Sequence, residues 1–422
     1  MEANQHGRRW VSSVGDDMGW LGLDDTDSLA GGCTTKAFRD LLDHLPPNVV
    51  VGEPRLVRLW PFAERRTRGN AAVGVELKCT DEAHLMNHLD DWWNKHLLPL
   101  TGAIHPSTIS DREQSSTSPG MVWFSSKPDE SLYWRAVKGE VMLSELPKAT
   151  RSWGGHGRIG ASAAVAWPGE VCTWEAVAWR DQLAQGSRRI DTEALVSVDT
   201  MEAVVLSRDP RKGTGLIAPR GRSPVLFGVR ATQQLAAERA CEVLLEAKGT
   251  EPCVGWTVFR TNQASGDHLE PQRRLKVDEV LVHPQRKHAH IHTDGPTVLS
   301  YVEGGPVNRL ARWLQPGDVI LVQGLIDGDG AMHAERMKLE SWVHRAVERP
   351  TCVACDVKLK SMGKGQGLRC PSCKERSEDR WVPVPCKPPF TAWVEPPVDA
   401  RRHLARPLSW DEPVQPDRPS KR

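Results

Sequence analysis

Residues 19–35 read Gly-Trp-Leu-Gly-Leu-Asp24-Asp25-Thr26-Asp27-Ser28-Leu29-Ala30-Gly31-Gly32-Cys33-Thr34-Thr35, and Ala37, Phe38, Leu41, Leu42 and Leu45 follow at helical spacing. The run Trp20–Leu23 is short and apolar and reads as a buried strand. Thr34 or Thr35 is a natural N-cap for the helix. The stretch is therefore a strand, an acidic loop, a Gly-Gly turn and a helix N-terminus. Each part suits a nucleotide triphosphate. Asp24, Asp25 and Asp27 offer oxygen ligands to a hard cation such as Mg²⁺. Gly31 and Gly32 let backbone approach a phosphate. The helix start offers free N–H groups to an anion. The competing reading is a polar turn with acids ahead of a helix, and spacing alone leaves both open. The Walker-type phosphate loop is absent.

Outside this stretch the composition excludes more than it selects. Lys and Arg number 55 against 54 Asp and Glu, so a nucleic-acid partner must be argued from local patches. No apolar run approaches the about 18 residues of a membrane span, and the first residues lack the apolar core of a signal peptide. Residues 1–18 are expected to be a disordered extension. Four of the ten cysteines cluster near the C-terminus and the others are scattered, which fits a reducing, cytoplasmic setting better than a disulfide framework.

Strand-like runs at 49–51, 56–60, 71–77 and 120–124 alternate with helical patterns at 81–98 and 133–145, so the first unit is α/β or α+β. The basic loop Arg65-Arg66-Thr67-Arg68-Gly69-Asn70 either reaches phosphate or is a solvated hairpin. A boundary falls near Pro147–Ser152. The glycines of Gly155-His156-Gly157-Arg158-Ile159-Gly160 line a ligand or let two backbones pack closely, with equal weight. Residues 207–230 hold Arg208, Arg211, Lys212, Arg220, Arg222 and Arg230 against one acid, Asp209, a patch that favours a phosphate partner. A helix follows over 231–248. From Gly255 to Val343 short strands, beginning with Trp256–Phe259, suit a barrel of the oligonucleotide-binding (OB) type. His288, His290 and His292 share one strand face, more simply a polar face than a ligand set. The polar run Arg260-Thr261-Asn262-Gln263 is a candidate RNA contact.

Cys352-x-x-Cys355 and Cys370-x-x-Cys373 bracket fourteen residues that include the basic hairpin around Lys364. Four thiolates satisfy tetrahedral Zn²⁺ with no open position, so the site is structural. Beyond Pro388 the chain is rich in Pro, Arg and Asp and is expected to be a flexible tail. A nucleotide site joined to an OB barrel and a zinc ribbon points to an ATP-using enzyme that acts on RNA.

The motifs DDTDS and GGCTT within 24–35, GNAAV at 69–73, SPGMVWF at 118–124, GHGRIGASAAVAW at 155–167, SPVLFGVR at 223–230, RTNQ at 260–263 and the paired cysteines resemble, in order and spacing, the archaeal tRNA-isoleucine 2-agmatinylcytidine synthetases. The resemblance implies a multidomain α+β chain: a kinase-like α/β ATP-binding domain over 19–148, a ferredoxin-like domain over 149–253, an OB fold over 254–346, a zinc ribbon over 347–390 and a flexible tail over 391–422. It implies a ligase that uses ATP to join agmatine to the wobble cytidine of the minor isoleucine tRNA with a CAU anticodon. Asp24, Asp25 and Asp27 match the family's metal- and phosphate-handling acids, and Thr34 its autophosphorylated threonine. Gly31, Gly32, Asn70 and Arg230 fall to ATP, and Arg260, Asn262 and Lys364 to tRNA. Two other classes stay open: a non-catalytic RNA-binding protein, and an ATP-dependent RNA kinase or ligase with another substrate.

Overall fold

The computed structural model describes residues 18–411 except 28–31, 67–68, 104–114, 182, 185, 220, 222, 344, 379–380 and 385. Of the expected disordered extension over 1–18, residues 1–17 lie outside the described residues, as does Gly31, whereas Met18 is already the first residue of a strand, paired with Lys78. The chain divides into two compact units, one made of residues 1–269, 325–329 and 398–422, the other of 270–324 and 330–397.

The first unit is built on one mixed sheet. Its strands in chain order are β1 (Met18–Asp24), β2 (Val50–Val51), β3 (Arg55–Arg58), β4 (Ala71–Lys78), β5 (Gly120–Phe124), β6 (Arg151–Gly154), β7 (Thr173–Trp179), β8 (Val204–Val205), then β9 (Arg208–Asp209) and β10 (Thr214–Gly215), which pair with each other apart from the sheet, and β11 (Val225–Ala231) and β12 (Gly255–Thr261). Across the sheet the order is β6-β5-β1-β4-β3-β12-β7-β11-β8, with β2 also on β4. Only β3 and β12 run parallel among these neighbours, and that pairing joins the two halves. β12 contains Trp256–Phe259, expected as a barrel strand. It lies instead between β3 and β7, where Phe259 is buried in the main core.

Alternation along β1 sets the layers. Leu21 and Leu23 pack with Phe38, Leu41 and Leu42 of helix α1 (Thr34–His44) and with Leu85 and Leu89 of α2 (Glu82–Trp92). The expected 81–98 helix ends at Trp92 and finishes in a wider turn over Trp93–Leu97. Trp20 faces the other way, against α4 (Arg158–Ala166), and α3 (Ser131–Lys138) packs on α4. The helix expected over 133–145 is therefore shorter, with a separate turn at Leu143–Glu145. α5 (Thr192–Asp199) and α6 (Gln234–Glu246) cover β7 and β11 around Phe227 and Leu244. Asp191 caps α5, its carboxylate accepting from the N–H of Glu193 and Ala194.

In the second unit, β13 (Arg273–Val282), β14 (Ala289–Thr293), β15 (Val298–Ser300), β16 (Val319–Ile326) and β17 (Met332–Ser341) close in the order β13-β14-β15-β17-β16. Leu275, Val277, Ile291, Ile320, Val322 and Met337 are buried, as are Val307 and Leu310 of α7 (Pro306–Ala311). On β14, Ala289 and Ile291 are buried and His290 is exposed, as the alternation predicts. β18 (Ala346–Glu348) pairs with β22 (Val382–Val384), and β19 (Lys360–Ser361), β20 (Leu368–Arg369) and β21 (Arg376–Ser377) form the ribbon. Residues 391–411, expected to be a flexible tail, are packed. Val394 pairs with Met337, and Leu404 is buried against Val57 and Tyr133 in the first unit.

Asn262, expected to meet RNA, is a core staple. It is 0% exposed; its Oδ1 accepts from the N–H of Arg58 at 2.7 Å, and its Nδ2 donates to the Arg58 carbonyl at 2.9 Å and to the Tyr133 hydroxyl at 3.0 Å. With both amide groups spent inside, it has nothing to offer a nucleic acid. Asn262→Ala should strand two buried backbone groups, at about 1–3 kcal/mol each. A marked fall in thermal midpoint is expected for this variant. No change is expected for Lys364→Ala, whose side chain is exposed.

Candidate active site

Asp24 ends β1 opposite Gly120 of β5, and the alternation that puts Trp20 on α4 puts Asp24 there too. A Cβ on Gly160 would lie 1.9 Å from Asp24 Oδ2, so only glycine lets α4 come this close. Asp25 stands in the left-handed region, φ 56°, a conformation that short polar residues tolerate at modest cost. Its Oδ2 accepts the N–H of Ser118 at 2.9 Å, and its own N–H donates to Asp24 Oδ1 at 2.7 Å.

Both carboxyls are held above the ordinary range. Burial raises Asp24 most, with the charges of Asp25 and Asp27 adding to it. Burial and the Asp27 charge push Asp25 up to about 7, against the Ser118 hydrogen bond and the attraction of Arg65. Among the described residues, neither acid pairs with a lysine or arginine. They line a small cavity, open to solvent, with Asn70, Arg65, His156, Gly157 and Gly160. Uncompensated neighbouring carboxylates in a cavity fit a divalent cation.

Asp27 faces a different space. It lines an open cleft of about 360 Å³ with Thr34, Thr35, Arg58, Gly69, Glu175, Gly221, Ser223, Arg230 and His403. The three acids are thus divided between two cavities that meet at the loop after β1 and at residues 69–71. Gly32 (φ +80°) packs against Thr26 and Asp27 and makes that turn possible. The N-cap of α1 is Cys33 rather than a threonine, and its side chain makes no capping bond. Thr34 is the first helical residue; its Oγ1 accepts from Thr26 Oγ1 at 3.2 Å.

Asn70 also has positive φ, 40°, and its Nδ2 donates to the Trp60 carbonyl at 2.7 Å. Arg230 reaches toward Glu175 at 3.9 Å. Two cations of the basic 207–230 patch are neutralised within the chain: Arg211 pairs with Asp209 and Asp399, and Lys212 with Asp399. Arg220 and Arg222 lie outside the described residues. Arg260 is partly exposed and donates to the Gly169 carbonyl at 2.7 Å. Sequence reasoning missed Arg58, Glu175, His156 and His403. Arg58 did carry a signal, as a cation in the apolar strand Leu56-Val57-Arg58-Leu59. His403, in a segment read as tail, carried none.

The four ribbon cysteines place their sulfurs within 4.8 Å of one another. Their two turns are alike: Asp356 N–H donates to the Cys352 carbonyl and Lys374 N–H to the Cys370 carbonyl, with both donors at positive φ. Burial opposes ionisation of Cys370, but the backbone N–H groups of Cys373 and Ser372 and the adjacent thiols bring it down to about 6. The set fits zinc.

A sheet carrying an acid-lined cavity, a closed five-strand barrel and a four-thiolate ribbon define a multidomain α+β protein. The family models described as the TiaS TCKD domain, the TiaS FLD domain and the TiaS C-terminal zinc ribbon domain match residues 20–88, 155–268 and 349–383. The tRNA(Ile) 2-agmatinylcytidine synthetase TiaS of Pyrobaculum neutrophilum is 30% identical over 94% of this chain and 94% of its own length. That of Acidilobus saccharovorans is 32% identical over 85% and 86%. A solved tRNA fluorescent labeling enzyme superposes with TM-score 0.75 at 25% identity, covering 94% of this chain and 99% of that one. A TiaS–tRNA–ATP complex superposes with TM-score 0.77 at 24% identity, covering 94% and 99%, a likeness of fold. The chain belongs to the TiaS family.

Two outcomes follow from this geometry. A carboxyl raised from 3.8 to about 7 on folding leaves stability intact below pH 4 and removes it as pH rises through 7. Asp25→Asn should therefore stabilise the metal-free protein at pH 8, by on the order of 2–4 kcal/mol, with the gain vanishing toward pH 4 in thermal melts. Chelating the zinc should unfold residues 349–383, read by loss of amide-exchange protection there, and leave the β1 sheet protected.

Proposed function

We propose that this chain is an ATP-dependent ligase that joins agmatine to C2 of the wobble cytidine in the CAU anticodon of the minor isoleucine tRNA. The products are 2-agmatinylcytidine, AMP and two phosphates. The end-to-end match to the agmatinylcytidine synthetases carries the reading. Such an enzyme works in the cytoplasm, where its tRNA is.

The reaction needs an activated base. The C2 oxygen of cytosine is amide-like and leaves poorly. One phosphoryl group of ATP is lost to water as the first phosphate. The next is transferred to that oxygen with AMP as the leaving nucleotide, which makes the oxygen a good leaving group and accounts for the second phosphate when it departs. The primary amine of agmatine then attacks C2. A C–N bond forms, the C2–O bond breaks, phosphate departs with the electron pair, and the amine gives up a proton.

Asp24 and Asp25, with Asp27 across the shared loop, are the acids that handle metal and phosphate. Magnesium, when bound there, neutralises phosphate charge in transfer. Gly32, at φ +80°, lets the loop turn toward a phosphate, Asn70 borders the acid cavity and Arg230 supplies positive charge in the cleft. Thr34, on the cleft wall beside Asp27, is the phosphoryl-accepting threonine. Arg260 and the exposed Lys364 meet tRNA, and the cytidine is extruded from its stack to reach the site. Zinc holds the ribbon fold.

The decisive assay supplies ATP, magnesium, agmatine and an isoleucine tRNA with a CAU anticodon, and reads mass gain at the wobble cytidine. Gain with agmatine is expected; gain only with spermidine or lysine would sink the assignment. Asp25→Ala should lower turnover by about 10²-fold or more while tRNA affinity holds.

A further inference from the structure

On the face of the sheet that packs against α4, a second group of charges gathers around Trp20. Buried Trp167 is the residue that ends α4. Its carbonyl accepts from Lys127 Nζ at 2.9 Å and from Arg55 Nη1 at 2.8 Å. Two cations thus converge on one helix end, where the helix dipole favours positive charge. They also share one ring. Arg55 lies over the Trp20 indole at 4.3 Å and Lys127 Nζ at 5.5 Å, so Arg55 holds the nearer place. Among the described residues, neither cation forms an ion pair with a carboxylate within 4.0 Å.

The local sequence sets the lysine there. Lys127 lies in the turn that leaves β5, which Ser125 anchors by donating its N–H to Thr150 Oγ1 at 3.0 Å. Pro128 disfavours a helical backbone at the residue before it. Lys127 is exposed, yet the indole, the helix end and Arg55 crowd its ammonium. Burial does most to bring it down to about 8, and Arg55 and Arg260 add to this against the attraction of Glu130 and Glu76. Glu76 stands opposite Trp20 on β4. Arg55 is lowered only to about 10, by burial first and then by Arg260, and stays charged at neutral pH. Of the two crowded cations, the lysine is the one that gives up a proton.

An exposed amine pressed between a guanidinium and an aromatic wall is a nucleophile at neutral pH. We propose that Lys127 is an acylation site, taking its acyl group from an acyl thioester. The amine lone pair attacks the thioester carbonyl. A C–N bond forms, the C–S bond breaks, the thiolate leaves with the electron pair, and the amine proton passes to water. The product is a neutral amide whose N–H still donates to the Trp167 carbonyl. Acylation therefore keeps the hydrogen bond at the end of α4 and removes the repulsion from Arg55. The same helix carries Gly160, which packs on Asp24, so the modified residue sits on the element that shapes the acid cavity. The site stands apart from the ligase reading and does not depend on it.

The test incubates the full-length, zinc-loaded protein with acetyl coenzyme A near neutral pH and reads acetylation at each lysine by peptide mass spectrometry. The exposed Lys248 and Lys364 serve as internal comparisons. Lys127 should react about tenfold faster than either, because its larger share of free amine outweighs the weaker nucleophilicity of a less basic nitrogen. Its rate should rise with pH and level off just above 8. Arg55→Met keeps an apolar stem on Trp20 and removes the charge, and should slow acetylation of Lys127 severalfold, with melting curves confirming the fold. Equal rates at Lys127, Lys248 and Lys364 in wild type overturn the proposal. So does a Lys127 rate that is unchanged in folded Arg55→Met. Should that variant unfold, the wild-type pH profile decides: a rate still climbing steeply at pH 10 also overturns it.

Discussion

Two neighbouring carboxyls held where their charged forms are disfavoured, at the end of β1, are the constraint around which the first unit is arranged. β1 lies between β4 and β5, so its end cannot move without breaking two ladders. Asp24 and Asp25 follow directly and repel each other in a place where burial already disfavours charge. Close packing keeps them there. Gly22 meets the Ala161 carbonyl and Gly160 meets Asp24, distances that admit no side chain. The glycines and alanines of 155–166 therefore answer two needs together. They bring α4 onto β1, and Gly157 and Gly160 leave the floor of a cavity open. The frame holds the two carboxyls together although burial and their mutual repulsion disfavour their charged forms.

The two neighbouring spaces have opposite character. One is lined by Asp24 and Asp25; the other gathers Arg58, Arg230 and the imidazole of His403 around a single glutamate. The loop carrying Asp27 borders both through its flanking residues. Phosphoryl transfer to a base, followed by displacement, has to stabilise a metal-bound nucleotide and also a departing phosphate. A cation-seeking cavity and an anion-seeking cleft on one sheet suit that pair of tasks better than one uniform pocket would.

The strand, acid loop and helix of 19–45 were legible because period, charge and glycine placement all point one way. The ribbon was legible because two thiol pairs at that spacing have few other uses. Other features could not be read locally. Trp256–Phe259 has the pattern of any short strand, and only its long-range pairing with β3 and β7 shows which sheet it joins. Asn262 looks like a surface amide in sequence, yet it spends its amide on Arg58, 204 positions away. In the basic stretch before β11, Asp399 from the far end of the chain pairs with Arg211 and Lys212, a contact that the local charge count could not show. In each case the deciding partner is remote, and one sequence carries no record of remote pairing.

That remoteness also gives the C-terminal segment a meaning its composition hides. The chain leaves the first unit after Leu269, builds most of the barrel and the whole ribbon, and re-enters it at Val398. On return it inserts Leu404 into the core around Tyr133 and Trp167, pairs Asp399 with two cations of the 207–230 stretch, and sets His403 on Gln263. Gln263 is itself the last residue of the motif that closes β12. The modules expected to hold RNA are thus inserted between two pieces of one cleft wall. The C-terminal segment completes a wall begun by residues that precede both modules in the sequence.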